Sequence, residues 1–277
     1  MFRGLYTATS GMMAHNRKQQ MLTNNLANAN TPGFKQDQTV IRSFPDQLIK
    51  AMGSAKTMAS GHHLGSMSTG VYAQEGIPSF AQGALKSTGN ATDFALMDDL
   101  LPVNPATNER GSLVFAVALP NNEVRYTKNG QFSVGPDGLL KTSEGHNVLG
   151  SDLSPIRVDS KDFTVEEDGT ITSANGTSTN DLWIGYTENP QQLVKEGHGL
   201  LRWAGNGLEV PQLAEGVPFL DNSRSFVKQG FVESSNVDLT QTMTDMMSTY
   251  RGFESNQKVL QAYDRSMEKA VNEIGRV

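Results

Sequence analysis

The chain has 277 residues, of which 37% are hydrophobic, 19% charged and none cysteine; it can build one large or two modest domains, and it excludes disulfides, thiolate catalysis and cysteine-based zinc sites. Its net charge of −6 argues against a general nucleic-acid binder, which needs a basic face to displace counterions. No apolar run approaches the roughly 18 residues of a membrane span.

Residues 3–28 read as a helix with a narrow apolar stripe. Its seam is Leu5, Ala8, Met12, His15, Gln19, Leu22 and Leu26. A repeat of about 3.5 residues keeps one helix stripe facing a partner helix. Residues 1–35 hold Arg3, Arg17, Lys18 and Lys35 and no acid. Thr7, Thr9, Ser10, His15, Asn16 and Arg17 interrupt any secretory apolar core, so export would use a route without a cleaved signal. The helix should stop at Asn30-Thr31-Pro32-Gly33, where Pro32 disfavours helix at Thr31 and Gly33 permits a left-handed turn.

A second, short helix is expected over 45–52, led by Pro45 and Asp46 and carrying Leu48, Ile49 and Met52. Residues 53–76 have no period and read as a long loop. The adjacent pair His62-His63 lies in that loop. Neighbouring residues on extended chain point apart, and no third and fourth ligand stands near, so neither metal nor cofactor is expected.

From 77 to 228 the pattern is β. Asn129-Gly130, Pro136-Asp137-Gly138, Asp168-Gly169 and Asn206-Gly207 are turn signals. Between the turns lie Leu113–Leu119, Val124–Thr127, Phe132–Val134, Phe163–Val165 and Leu182–Tyr186, short runs that predict an antiparallel sandwich or barrel-like unit. Asp98-Asp99 invites comparison with a glycosidase carboxylate pair. Such enzymes hold their carboxyls apart across a cleft, and adjacent acids on a loop are more often solvated. No nucleophile-elbow, zinc-protease or phosphate-loop motif occurs. The chain is therefore not read as an enzyme.

Helix returns at Asp238, where Asp238-Leu239-Thr240-Gln241 reads as a capping box. Its seam is Leu239, Met243, Met246, Tyr250, Phe253, Gln257, Leu260, Asp264, Met267, Val271 and Ile274. A helix this long, apolar along one stripe, needs a partner over much of its length. The expected fold is α+β: N- and C-terminal heptad helices forming a coiled-coil region, with a central, mainly antiparallel β domain. The expected divisions are an N-terminal helix at 1–35, a loop with a short helix at 36–76, the β domain at 77–228 and a C-terminal helix at 229–277. The stripes could serve a helix pair within one chain that covers the β domain. Their narrowness, and the polar members His15, Gln19, Gln257 and Asp264, favour register-fixing contacts in an ordered assembly of copies.

The motifs beside the seams carry a family likeness. Leu5-Tyr6-Thr7-Ala8-Thr9-Ser10-Gly11-Met12, followed by Asn24-Asn25-Leu26-Ala27-Asn28-Ala29-Asn30-Thr31-Pro32-Gly33-Phe34-Lys35, resembles the N-terminal signature of bacterial flagellar rod and hook proteins. Gly230, Glu233, Ser235-Asn236-Val237-Asp238, Met246-Met247, Tyr250-Arg251 and Asn256-Gln257-Lys258-Val259-Leu260 are similar to its C-terminal signature. Gly83-Ala84-Leu85, Asp93-Phe94-Ala95-Leu96 and Tyr126-Thr127-Lys128-Asn129-Gly130-Gln131-Phe132 follow the family's order between them. The likeness covers nearly the whole chain. It implies a structural subunit of the flagellar basal-body rod, of the FlgF/FlgG type, since hook subunits usually carry a further outer domain.

On that resemblance the terminal seams are the assembly interface, with Asn28, Asn30, Thr31, Gly33, Phe34, Ser235, Asn236, Val237 and Asp238 as family motif positions. Other copies, other rod or hook proteins and the flagellar type III export apparatus are the implied partners. The segment from Met97-Asp98-Asp99 through Asn104 departs from the family pattern, as does Thr244-Asp245. These departures suit the divergent FlhO/FlhP type of spore-forming Gram-positive bacteria. The competing reading is a secreted cell-wall enzyme or adhesin with the helices as a stalk.

Overall fold

The computed structural model describes residues 2–50, 63–99, 101–104, 110–121, 123–158, 163–173, 178–179, 181–205, 211–213 and 226–274. The chain divides into two compact units. The first gathers Met1–Ala27, Asp37–Ile77 and Asp238–Val277, and the second Asn28–Gln36 and Pro78–Val237. The residues bordering each helix therefore belong to the second, β-rich unit.

The first unit is built on two helices, α1 (Phe2–Ala27) and α2 (Leu239–Lys269). α2 ends in a wider π-helical turn over Ala270–Ile274. Asp238 caps α2 by accepting a hydrogen bond from the Gln241 amide at 3.0 Å. The reciprocal half of the expected capping box does not form. The Gln241 side chain donates instead to Asp245 Oδ1, one turn ahead, at 3.1 Å.

The short helix expected over 45–52 is not there. Gln47–Lys50 is a strand, paired antiparallel with His63–Met67. Ile41–Ser43 pairs likewise with Val71–Ala73, so part of the expected 53–76 loop is strand too. A four-residue strand with two adjacent apolar residues, Leu48 and Ile49, cannot display a period, and its pairing partner lies 13–20 residues on, in a Gly- and Ser-rich stretch without strand signal. Met52 and His62 fall outside the described residues.

The second unit is built around a nine-stranded antiparallel sheet. Its axis is Ser112–Ala118, whose residues are buried up to Val117. Val124–Thr127 pairs along one edge of this strand; Asn147–Val148 and Ile184–Thr187 pair in turn along the other, with Val117–Ala118 and Ser112–Phe115. Strand side chains alternate between faces, so Leu113, Phe115 and Val117 enter one core and Val114 and Ala116 another. The first core is aromatic: Phe94 and Phe115 both pack on Phe132, and Phe94 also on Phe163, with centroids 5.3–6.1 Å apart. The second holds Tyr126 against Trp183 at 5.6 Å. The predicted runs at Val124–Thr127, Phe132–Val134 and Phe163–Val165 are strands at those bounds. The predicted run 182–186 begins later, at Ile184.

Candidate assembly interface and buried junction

α1 and α2 run antiparallel, and three close approaches fix their register. A Cβ added to Gly4 would meet the Tyr263 ring, one on Gly11 would lie 2.7 Å from the Asn256 amide, and one on Gly252 would lie 2.7 Å from the His15 ring. Each pair of residue numbers gives the same total, so all three contacts belong to one alignment. Glycine leaves room there for a side chain of the partner helix.

The stripe turned toward α2 follows Gly4, Ala8, Gly11, His15, Lys18, Leu22 and Asn25, all buried or half-buried. On α2 it follows Thr242, Met246, Thr249, Phe253, Asn256, Leu260, Tyr263 and Met267. Both keep heptad spacing, yet each is rotated from the sequence-derived seam. Ala8, His15 and Leu22 lie on the inner stripe of α1, while Leu5, Met12, Gln19 and Leu26 are half-buried along its flank. On α2, Met246, Phe253, Leu260 and Met267 are half-buried, whereas Leu239, Met243, Tyr250, Gln257, Asp264 and Val271 face solvent. The Ile274 side chain lies outside the described residues. Apolarity alone placed the expected seam; on α1 the closest packing falls on Gly4, Ala8 and Gly11, and Leu5, Met12 and Leu26 are displaced to the flank.

Equivalent flanks of an antiparallel pair lie on the same side. Leu5, Met12 and Leu26 therefore form a half-buried edge on the same side as Met243 and Tyr250 of α2. An exposed stripe of Leu239, Met243, Met247 and Tyr250 continues it around α2, with Tyr250 57% exposed. The opposite side of α1 is covered by the chain around Val71–Ala73. Ser10 Oγ accepts from the Val71 amide at 3.2 Å, and the Asn25 side chain exchanges two hydrogen bonds with the Asp37 backbone.

His15 sits inside the pair with Nδ1 buried and unpartnered. Burial, and then the Lys18 ammonium, hold its imidazole below the ordinary value. The unfolded chain thus binds a proton at a higher pH than the folded one. Stability of the pair should be constant above the ordinary imidazole value of about 6.5 and decline as pH falls through it. Chemical denaturation between pH 7.5 and 5, followed by far-UV circular dichroism, should show this slope, and His15→Gln should remove it.

In the second unit the residues flanking the helices converge on a buried junction. Lys35 Nζ lies 2.7 Å from Glu233 Oε1, with the two side chains 3% and 2% exposed. Lys35 also donates to the Ala81 carbonyl at 3.0 Å. Glu233 Oε1 accepts from the Gly83 amide and its backbone carbonyl accepts from the Gly33 amide, both at 2.8 Å. Beside this pair, Lys128 is bonded to Asp98, and Asp98 also accepts from the Leu113 amide at 3.0 Å. Burial is the largest influence on Lys35 and lowers its pKa; Lys128 adds to that, while Glu233 and Asp98 oppose it. Asp98 and Asp99, read as a possible pair, occupy different surroundings: Asp98 is buried on Lys128, and Asp99 is exposed beside Arg110.

The family motif positions surround this junction. Gly33 takes φ +69°, and a Cβ there would strike the Lys128 and Asn129 backbone at 2.6 Å. Asn28 accepts from Thr31 Oγ1 at 3.2 Å, while Asn30 is exposed. Phe34 lies under the Lys195 ammonium, 4.3 Å from the ring centroid. Asn236 accepts from the Gln36 amide at 2.7 Å and donates to the Ser79 and Ala81 carbonyls. Ser235 Oγ accepts from the Val237 amide at 3.3 Å. Sequence spacing held no signal for the Lys35–Glu233 pair, whose members come from opposite ends of the chain. Among the described residues no group of three or more His, Cys, Asp or Glu could hold a metal, and no helix is long and apolar enough to cross a membrane.

Three family models match the chain. "Flagella basal body rod protein" covers residues 5–35, "Flagellar hook protein FlgE/F/G D1 domain" covers 110–173, and "Flagellar basal body rod FlgEFG protein C-terminal" covers 228–273. The flagellar hook-basal body complex protein FlhO of Bacillus subtilis is 42% identical across the full length of both chains. The flagellar basal-body rod protein FlgG of Borreliella burgdorferi is 30% identical over 98% of each chain. The rod protein FlgF of Mesorhizobium japonicum is 28% identical over 98% of this chain and 97% of its own.

Proposed function

The chain belongs to the flagellar basal-body rod protein family, whose members are structural subunits, and from that premise we propose that its helix pair is the means by which it polymerises. The edge of Leu5, Met12 and Leu26, with the exposed stripe Leu239, Met243, Met247 and Tyr250, receives neighbouring copies or other rod and hook proteins. The resulting helix packing is a coiled coil between subunits, and the rod transmits torque to hook and filament. The chain reaches the growing rod through the flagellar type III export apparatus. The 277 residues then serve as an assembly portion of paired helices, a connecting portion and a β-rich outer portion.

The observation that carries this reading is the exposed apolar stripe on α2. Fully burying an exposed apolar side chain contributes about 1.5–3 kcal/mol, and the single chain leaves roughly half of that unrealised on each of these positions, which are 42–62% exposed. Met243→Glu combined with Tyr250→Glu tests it. The doubly substituted chain should keep its helical circular dichroism, because both positions face solvent. It should nevertheless fail to enter basal bodies, and the cells should not swim. Normal motility with this variant would sink the proposal.

A further inference from the structure

We propose that Met243 and Met247 form a reversible oxidation site through which peroxides control joining of subunits. This rests on the interface reading above. The chain has twelve methionines and no cysteine, so its thioethers are its most readily oxidised groups. Met13 is 69% exposed, Met243 47% and Met247 62%. The other described methionines are half-buried: Met12, Met21, Met67, Met97, Met246 and Met267. Met67 sulfur also accepts a weak hydrogen bond from the Arg3 guanidinium at 3.6 Å, which engages the lone pair an oxidant would attack.

Met243 and Met247 stand one helical turn apart on α2, so both sulfurs share one face between Leu239 and Tyr250. Met13, equally open, stands on the outward face of α1 level with Glu254 and outside that stripe, so its sulfoxide reports oxidant access without touching the interface. In the reaction a thioether lone pair attacks a peroxide oxygen. The O–O bond breaks, an S–O bond forms, the sulfide becomes a sulfoxide and hydrogen peroxide is reduced to water. A methionine sulfoxide reductase reverses the step, oxidising two thiols to a disulfide and releasing water. The sulfoxide replaces an apolar, adaptable side chain with a polar one at a surface that must be desolvated on assembly.

The test uses the full chain treated with hydrogen peroxide, then mapped by mass spectrometry and assayed for self-association by sedimentation. Sulfoxide should form at Met13, Met243 and Met247 before any half-buried methionine. Association should weaken about tenfold or more for each oxidised residue that must be buried. Treatment with a sulfoxide reductase should restore it, and the Met243→Leu, Met247→Leu variant should associate equally well with and without peroxide. Oxidation that begins at other methionines, or association unchanged by sulfoxide at Met243 and Met247, overturns the inference. An untreated chain that does not associate at all overturns the self-assembly reading itself, and the inference with it.

Discussion

Lys35→Met should destabilise the β-rich unit by about 3–5 kcal/mol, the usual cost of removing one partner from a buried ion pair. For a unit of this size that is a fall of roughly 10 °C in Tm. The cost arises because Glu233 stays buried without its cation, with Oε2 already lacking a hydrogen bond. Adding Glu233→Gln should recover the larger part: both charges are then gone, and the amide oxygen can still accept from Gly83. The two tryptophans, Trp183 and Trp203, both lie in this unit, so fluorescence in a denaturant titration reports it alone. A Lys35→Met chain as stable as wild type would show that the pair contributes nothing net.

Gly252→Leu, with Gly11→Leu, should part the helix pair while leaving that fluorescence transition in place. Overpacking costs about 1–3 kcal/mol per site, and replacing a helical glycine recovers at most about 1 kcal/mol. The net is a loss of up to roughly 2 kcal/mol per site. Gly252 should carry the larger share, because its neighbour is the His15 ring, held between two helices. Gly11 faces the Asn256 side-chain amide, which can rotate away. Far-UV circular dichroism should show lost helix, and cells carrying the double variant should not swim. Retained helicity at full amplitude would argue against a fixed register.

How much of this was legible in the sequence differs by element. Both long helices were readable because 3.5-residue periodicity persists over many turns and Asp238 marks a start. The sheet strands between Asn-Gly and Asp-Gly turns were readable for a similar reason: each is local. The strands at Gln47–Lys50 and His63–Met67 were not, since their pairing is decided by a distant segment. The helix contact itself was half legible. Leu22, Phe253 and Leu260 gave the rhythm, but Gly4, Gly11 and Gly252 set which face closes, and hydrophobicity is blind to a missing side chain. The Lys35–Glu233 pair was invisible, because nothing in a one-dimensional string marks two charges for burial together.

That pair has a consequence in time. Lys35, Asp98 and Lys128 precede Glu233 along the chain by more than a hundred positions, so any process that delivers the chain from its N-terminus supplies Glu233 last. Until then the junction holds two cations against one anion, and sealing it away from water is unfavourable. The β-rich unit thereby proofreads its own length. Chains stalled before Phe231 are expected to leave Trp183 open to solvent quenchers, and chains that have passed Asn236 to bury it.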